Sequence, residues 1–98
     1  MPGAAPLRTV TVYHAAGCHL CERALEVVAE ARGRHPFDLT VVDIGGDAAL
    51  EAAYREYLPV IEIDGVRAFT YFVSVAALLD RLDRDGSPGP PPEGAGNM

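Results

Sequence analysis

The amino-acid sequence predicts an α/β fold in which four strands form one mixed sheet with helices on both faces, in the order β-α-β-α-β-β-α. Three observations support this prediction. Hydrophobic residues in the first half switch between the two-residue period of strands and the 3.6-residue period of helices. The β-α-β opening favours parallel pairing of the first two strands through a right-handed crossover. Asp64-Gly65 lies between two further strand-like runs and predicts a closing antiparallel hairpin.

The first strand and the first helix are predicted on either side of a turn of small residues at 15–17. Residues 9–13 alternate β-branched and aromatic side chains, which is typical of a strand. From residue 18 to residue 32 the period becomes helical, with glutamates on the outer face. Gly33 is predicted to end this helix. The predicted inner face consists of Cys21, Ala24, Leu25 and Val28.

The middle of the chain predicts a second strand and a second helix. Residues 37–43 alternate again, and Gly45-Gly46 ends that strand. Asp47 is suited to cap a helix that continues to about residue 57. The predicted inner face of this helix consists of Leu50, Ala53, Tyr54 and Tyr57.

The residue pattern in the last third of the predicted domain indicates a hairpin and a closing helix. The third strand covers residues 58–63 and begins at Pro59, where the missing N–H is tolerated. The Asp64-Gly65 turn leads into a fourth strand over residues 66–72. Ser74 then caps the last helix. The apolar positions of that helix are Val75, Leu78, Leu79 and Leu82.

A single domain is expected within these 98 residues. Residues 85–98 contain four prolines and four glycines and have almost nothing to bury, so we expect a disordered tail. Residues 1–8 are expected to form a flexible N-terminus. The predicted domain therefore covers residues 9–84, which is enough for one modest core.

Composition and charge exclude several classes of protein. The net charge is −6 and the basic residues are all Arg and scattered, whereas nucleic-acid binding needs a basic stripe. The apolar runs are too short to span a bilayer, and no secretory signal is visible. Two cysteines are too few for a disulfide framework and are normally reduced in a protein that is not exported. We therefore expect a cytoplasmic monomer that binds neither nucleic acid nor membrane.

Both cysteines lie in Cys18-His19-Leu20-Cys21, where the first strand meets the first helix. Helix positions three apart are neighbours, with Cβ atoms about 5–6 Å apart, so the two sulfurs can reach bonding distance. At a helix start, unpaired N–H groups and the helix dipole favour the thiolate form of Cys18, the candidate nucleophile. Cys21 lies on the apolar face and is the candidate resolving thiol. His19 adds positive charge near Cys18 when it is protonated.

Two other interpretations use the same cysteines. They can form a buried structural pair, because free cysteine behaves as a small hydrophobe. They can also hold zinc together with His14 and His19, or an iron–sulfur centre shared between two chains. A histidine taken alone is by default a solvated surface residue, and His35 is interpreted in that way.

The motifs Cys18-His19-Leu20-Cys21 and Tyr57-Leu58-Pro59-Val60 resemble the thioredoxin-like superfamily and, within it, the glutaredoxin-like branch. The resemblance extends over about residues 9–84. In that family the second motif holds a cis-proline beside the cysteine pair, which implies a cis Leu58–Pro59 bond here; a trans proline at a strand start is the plain alternative. The Cys-x-Leu-Cys spacing is most similar to that of small bacterial glutaredoxin-like proteins.

The resemblance implies a thiol–disulfide oxidoreductase without a bound cofactor. Cys18 would attack a substrate disulfide, and Cys21 would then release the reduced product. The backbone of Leu58 would pair with the substrate, and Tyr13 would line the groove or serve only as a core aromatic. The partners would be a disulfide-containing protein or a small-molecule thiol. Glutathione, another low-molecular-weight thiol or a reductase would supply the electrons.

The sequence departs from the two principal groups of the superfamily at several positions. His19-Leu20 replaces the Gly-Pro of thioredoxins and the Pro-Tyr of dithiol glutaredoxins, and Ala15 stands where the latter carry a basic residue. Tyr71-Phe72-Val73-Ser74 replaces the Gly-Gly turn that grips the γ-glutamyl group of glutathione, although Ser74 and the helix start can still bind a carboxylate. A further interpretation is an interaction domain that uses the hairpin or the Tyr71-Phe72 surface.

Overall fold

The computed structural model describes residues 8–85, and its helices and strands follow the predicted order. The elements are β1 (Thr9–His14), α1 (His19–Arg34), β2 (Asp38–Asp43), α2 (Ala48–Tyr54), a 3-10 turn (Arg55–Tyr57), β3 (Val60–Ile63), β4 (Val66–Thr70) and α3 (Val75–Asp85). Residues 1–7 and 86–98, which make up most of the predicted flexible N-terminus and tail, lie outside the described residues. Within residues 8–85, none of the helices has the length and apolar character needed to cross a membrane.

The four strands form one mixed sheet in the order β2-β1-β3-β4, which confirms the predicted fold class. β1 and β2 are parallel, whereas β3 is antiparallel to both of its neighbours, β1 and β4. β1 and β4 therefore end, and β3 begins, on the same side of the sheet. We call this row of strand ends the upper edge; it is distinct from the edge strands β2 and β4. The helices α1 and α3 also begin there. This topology brings Cys18, Pro59 and residues 71–74 to one edge.

One face of the sheet packs against α1 and α3 and forms the main core. Strand side chains alternate between the two faces, so Val10 and Val12 of β1 both point to this side. The helices present apolar residues at helical spacing. We call this side the α1/α3 face. Its core residues, each at most 2% exposed, are Val10, Val12, Ala24, Val28, Ala31, Phe37, Ile61, Ile63, Leu78 and Leu82.

The opposite side of the sheet, which we call the α2 face, is covered by a short helix with no buried residue. Asp47 caps this helix as predicted, because its Oδ1 accepts a hydrogen bond from the N–H of Leu50 at 3.0 Å. A second, smaller cluster lies on this side near the upper edge. Its buried members are Ala15, Cys21, Ile44 and Leu58, with Tyr13, Cys18, Leu50 and Tyr54 packed against them.

The predicted stop of α1 at Gly33 is wrong. The helix continues to Arg34, and the N–H of His35 still bonds to a carbonyl of its last turn at 2.9 Å. Gly33 is not among the glycines with positive φ, so it does not form the left-handed helix end that the prediction assumed. The helix end is instead tied to the start of β2, because the Nε of Arg32 donates to the carbonyl of Phe37 at 2.9 Å.

The second helix is shorter than predicted. The α-helix ends at Tyr54 and tightens into a single 3-10 turn that reaches Tyr57. Leu58 then has φ −63° and ψ 144°, the extended conformation to which a residue before proline is restricted. Of the predicted inner face, Leu50 and Tyr54 are half-buried, but Ala53 and Tyr57 are exposed.

The fourth strand is also shorter than predicted. It ends at Thr70 rather than at Phe72. Tyr71 has φ +67°, which lies in the left-handed region and is incompatible with a strand. The chain therefore leaves the sheet one residue after Thr70.

Candidate functional site

The two cysteines lie at the start of α1 and are joined as a disulfide. Gly17, with φ +78°, turns the chain from β1 towards the helix. Cys18 is the N-cap residue, and its Sγ accepts a hydrogen bond from the N–H of Cys21 at 3.1 Å. The Cα atoms of the two cysteines are 5.2 Å apart. The structure thus brings the predicted pair together at the helix terminus.

The two cysteines differ in exposure. Cys21 is 1% exposed and belongs to the buried cluster with Ala15, Ile44 and Leu58. Cys18 is half-buried and lies at the border of that cluster. Cys18 is therefore the more accessible sulfur, in the order that the candidate nucleophile and the candidate resolving thiol require.

His19 lies between the cysteines but points away from them. Its side chain is 93% exposed, and its Nδ1 lies 3.8 Å from Oε1 of Glu22, one helical turn further on. An exposed pair of this kind contributes little, because water screens it. No contact between His19 and the sulfur of Cys18 supports the predicted role of His19 as a positive charge, and this role stays a prediction.

The loop before β3 completes the upper edge. The Leu58–Pro59 peptide bond is cis, as the resemblance implies. Leu58 is buried in the same cluster as Cys21, and Pro59 is fully buried beside it. The carbonyl of Pro59 accepts a hydrogen bond from the N–H of Tyr71 at 3.0 Å. The structure therefore brings together the cysteine pair, the proline loop and the end of β4.

Tyr13 lies on the α2 face beside the cysteine cluster. Its ring stacks on that of Tyr54, with centroids 4.0 Å apart and planes 11° from parallel. Both hydroxyls donate to one carboxylate, Tyr13 to Oε1 of Glu62 at 3.4 Å and Tyr54 to Oε2 at 3.1 Å. The guanidinium of Arg67 lies over the rings of Tyr54 and Tyr57. We call Tyr13, Tyr54, Glu62 and Arg67 the tyrosine–carboxylate cluster.

The cluster keeps Tyr13 protonated. The neighbouring Tyr54 hydroxyl, partial burial and the negative charge of Glu62 together raise the pKa of Tyr13 far above its ordinary value. Tyr13 therefore keeps its proton, and remains a hydrogen-bond donor, to a higher pH than an ordinary tyrosine does. Of the two roles predicted for it, groove lining and core packing, its stacking on Tyr54 shows packing, and contact with a substrate stays a prediction.

Sequence reasoning named Tyr13 but missed its partners Tyr54, Glu62 and Arg67 as one cluster. Strand alternation alone puts Tyr13 and Glu62 on the same face. Their contact also depends on the register in which Tyr13 faces Val60 across the β1–β3 pair, two residues from Glu62. Such a long-range register cannot be read from local periodicity.

Residues 71–74 form the turn between β4 and α3. Ser74 caps α3, because its Oγ accepts a hydrogen bond from the N–H of Ala77 at 3.0 Å. The hydroxyl oxygen is therefore already used within the chain, and its predicted contact with a substrate carboxylate stays a prediction. Phe72 is 74% exposed and borders a recess of about 340 Å³. The recess is lined by Phe69, Phe72, Val73, Ser74 and Ala77.

The donor set proposed for zinc is not assembled within the chain. Among residues 8–85, no three His, Cys, Asp or Glu side chains converge into a group able to hold a metal ion. His14 and His19 therefore do not join the two cysteines in one site. An iron–sulfur centre shared between two chains would need further ligands from a second copy of the protein.

Comparisons with known proteins identify the family. Residues 9–83 match the family model described as Glrx-like, the glutaredoxin-like domain (DUF836). Protein XcR50 from X. campestris is 34% identical, with a TM-score of 0.66, and the match covers 81% of this chain and 99% of that one. Protein Ne2328 from Nitrosomonas europaea is 25% identical, with a TM-score of 0.67, over 83% of this chain and 98% of that one. No curated protein sequence matches the chain.

More distant structures share the fold. A chloroplastic thioredoxin z is 16% identical, with a TM-score of 0.66, over 79% of this chain and 76% of that one. A thioredoxin variant from Halobacterium salinarum is 19% identical, also with a TM-score of 0.66, over 87% and 80%. At this identity the likeness concerns the fold alone. Because a family model matches most of its length, the chain belongs to the glutaredoxin-like domain family (DUF836).

Proposed function

We propose that this protein is a thiol–disulfide oxidoreductase that reduces disulfides with Cys18 as the nucleophile and Cys21 as the resolving thiol. One observation carries the proposal: a cysteine pair at disulfide distance caps the helix α1, with the accessible sulfur at the N-cap and the buried one three residues later. A sulfur in that place accepts a backbone N–H and faces the positive end of the helix dipole. Both effects favour a thiolate once the pair is reduced.

The reaction consists of two exchange steps. The Cys18 thiolate attacks one sulfur of the substrate disulfide; a mixed disulfide forms, and the other substrate sulfur leaves and takes up a proton. Cys21 then loses its proton and attacks Sγ of Cys18. The second substrate sulfur leaves as a thiol, and the Cys18–Cys21 disulfide remains. Two electrons have moved from the protein to the substrate.

The upper edge of the sheet supports binding of an extended substrate. Leu58 has an extended backbone, precedes a cis-proline and belongs to the cluster that contains Cys21. We propose that the backbone of Leu58 pairs with the substrate chain on one side of its disulfide. Such pairing would hold the substrate sulfur in line with Cys18, and alignment of this kind is a large part of the rate gain in a bimolecular step.

We further propose that the oxidised pair is returned to dithiol by glutathione, another low-molecular-weight thiol or a reductase. A steady supply of such reductants is a property of the cytoplasm, where cysteines are normally kept reduced. The proposal therefore includes a cytoplasmic location and a monomeric protein without a bound cofactor. The disulfide substrate and the reducing partner are the two molecules that it meets in turn.

A trapping experiment tests the proposal. The reduced Cys21→Ser variant is incubated with a disulfide-bonded test protein such as insulin, and intact-mass measurement follows the adducts. We expect a stable mixed disulfide on Cys18, because the second exchange step is removed. The matched Cys18→Ser variant should form no such adduct. Wild-type protein should reduce the substrate when dithiothreitol regenerates it, and iodoacetamide should alkylate Cys18 faster than Cys21 in the reduced protein.

Two results would contradict the proposal. The first is the absence of both substrate reduction by the wild type and adduct formation by Cys21→Ser. The second is near-stoichiometric zinc or iron in protein purified under reducing conditions, which would assign the cysteines to metal binding. A Cys18→Ser variant that retains the full cellular phenotype would favour the interaction-domain interpretation.

A further inference from the structure

The turn after β4 carries the most exposed large apolar side chain of residues 8–85. Phe72 is 74% exposed, whereas Tyr71 next to it is 42% exposed and Leu20, beside Cys18, is 38% exposed. All three lie at the upper edge, where α1 and α3 begin. Phe72 contributes little to the core, and with Tyr71 and Leu20 it leaves several large apolar side chains open to water along the edge that carries the cysteines.

Tyr71 has an unfavourable backbone conformation that two hydrogen bonds stabilise. Its φ of +67° is in the left-handed region, which is unfavourable for a residue with a side chain. Two contacts hold it there: its N–H donates to the carbonyl of Pro59 at 3.0 Å, and its hydroxyl donates to the carbonyl of Glu56 at 2.9 Å. Strain held in place by its surroundings is concentrated at functional sites. Here it presents Phe72 to solvent directly beside the proline loop.

The recess beside Phe72 is apolar and uncharged. Its lining residues Phe69, Val73 and Ala77 are hydrophobic, and the oxygen of Ser74 already accepts a backbone N–H. The chain has a net charge of −6. Glutathione disulfide is itself an anion with four carboxylates, and no cationic side chain lines this recess to pair with them. A large apolar side chain requires none and removes apolar surface of Phe72 from water.

We infer that the site acts on proteins in which a large apolar residue lies close to the disulfide cysteine, and that this residue packs against Phe72. The inference rests on the proposed thiol–disulfide exchange and names its substrate class. β1 and β4 are separated by one strand, so Cys18 and Phe72 follow strands that lie about 10 Å apart. An extended chain rises about 3.3 Å per residue, which places the apolar residue about three positions from the substrate cysteine.

A pair of peptides tests the inference. Both peptides carry one cysteine as a mixed disulfide with 2-mercaptoethanol, and they differ only in having Leu or Ser three residues before the cysteine. A second pair has the same Leu or Ser difference three residues after the cysteine. We expect the wild type to reduce one Leu peptide with a kcat/KM about tenfold above that of its Ser partner, and also above that of glutathione disulfide. In Phe72→Ala, the ratio between Leu and Ser peptides should fall close to one.

Val66→Ala serves as the matched control. Val66 is also a strongly exposed apolar residue, 62% exposed, but it begins β4 at the opposite edge of the sheet. It should retain the wild-type preference between the peptides. Circular dichroism checks that both variants remain folded, and Phe72→Leu, which keeps an apolar side chain, should restore most of the preference.

The possible failures are distinguishable. Equal reduction of Leu and Ser peptides by the wild type, or a wild-type ratio in Phe72→Ala, overturns the inference and leaves the proposed function intact. Faster reduction of glutathione disulfide than of every peptide does the same. A concentration-dependent dimer that Phe72→Ala dissociates would assign the recess to a second copy of this chain. If no disulfide is reduced and Cys21→Ser traps no adduct, the proposed function fails, and the inference with it.

Discussion

The two faces of the sheet differ in what covers them. On the α1/α3 face, two helices bury a continuous set of aliphatic residues and one phenylalanine. On the α2 face, a helix without any buried residue covers strands that carry a phenol hydroxyl, a carboxylate and a guanidinium, and the helix adds a second phenol from Tyr54. The same strands supply both faces, because their side chains alternate. Cys21 packs into the small cluster on the α2 face and not into the main core.

The two faces therefore have different roles: the α1/α3 face contributes most of the stability, and the α2 face carries the cluster that contains Cys21. Aliphatic burial contributes most of the free energy of folding in a domain of this size, and it is concentrated on the α1/α3 face. The α2 face contributes fewer buried side chains, and its polar groups contact one another in the tyrosine–carboxylate cluster. The opening and closing of the disulfide in the proposed reaction would therefore change the site locally without disturbing the main core. Four pairs of substitutions test this separation, in order of decreasing expected effect.

The largest difference is expected between two leucine truncations. Leu78→Ala on α3 removes a fully buried side chain from the main core and should lower the free energy of unfolding by about 3 kcal/mol. Leu50→Ala on α2 removes a half-buried one and should cost about 1 kcal/mol. Urea denaturation of both variants in the same redox state measures the difference. Equal losses would show that the α2 face is as much part of the core as the other face.

The second comparison uses two buried isoleucines. Ile61→Val in the main core and Ile44→Val in the cysteine cluster each remove one buried methylene, and each should cost about 1 kcal/mol. Only Ile44→Val leaves space in the cluster that contains Cys21. Alkylation of Cys21 in the reduced protein should therefore accelerate in Ile44→Val alone. If Ile61→Val accelerates it equally, Cys21 is exposed by global opening and not by its local packing.

The third comparison uses the two helix caps. Ser74 and Asp47 each accept a backbone N–H three residues later at 3.0 Å, so the local bonds are matched. Ser74→Ala should lower global stability by about 1 kcal/mol, because α3 contributes to the main core. Asp47→Ala should act mostly on local opening, and amide hydrogen exchange in α2 should accelerate more than the urea midpoint falls. A larger loss of global stability from Asp47→Ala would contradict the separation of the faces.

The α1/α3 face was the more predictable of the two from the sequence. Its residues recur at strand and helix periods, and all the residues predicted to face inward on the first and last helices are buried or half-buried. Burial of aliphatic residues is a local pattern repeated many times, so single errors such as the stop at Gly33 do not alter the topology. The cysteine pair was predictable for a related reason, because its spacing and its position after a strand are both local.

The remaining part of the site depends on long-range geometry and on rare backbone conformations. The tyrosine–carboxylate cluster joins residues of β1, α2, β3 and β4, and its contacts follow from the strand register. The outward turn at Phe72 depends on a positive φ at Tyr71, a conformation that a tyrosine seldom adopts and that no sequence pattern indicates. His19 shows the reverse case: it lies next to Cys18 in the sequence, but its side chain is 93% exposed and pairs with Glu22, so its role beside Cys18 stays a prediction.

The smallest effect at neutral pH is expected from Tyr13→Phe. The bond from the Tyr13 hydroxyl to Glu62 is 3.4 Å long, so its loss should cost only about 0.5 kcal/mol. A larger effect should appear at alkaline pH. The pKa of Tyr13 is raised in the folded protein by the neighbouring Tyr54 hydroxyl, by burial and by Glu62, whereas in the unfolded chain it lies near its ordinary value of about 10.

Between these two pKa values, the unfolded chain loses the Tyr13 proton while the folded protein keeps it. The contribution of Tyr13 to stability is therefore complete below about pH 10 and falls progressively as the pH rises further. Tyr13→Phe should make the alkaline loss of stability less steep, and Glu62→Gln should have a smaller effect in the same direction, since it removes the carboxylate charge but leaves an acceptor oxygen. Urea midpoints measured from pH 8 to pH 11 test this. An unchanged alkaline slope in Tyr13→Phe would mean that the polar cluster does not hold Tyr13 neutral, and the contrast between the two faces would be smaller than the geometry indicates.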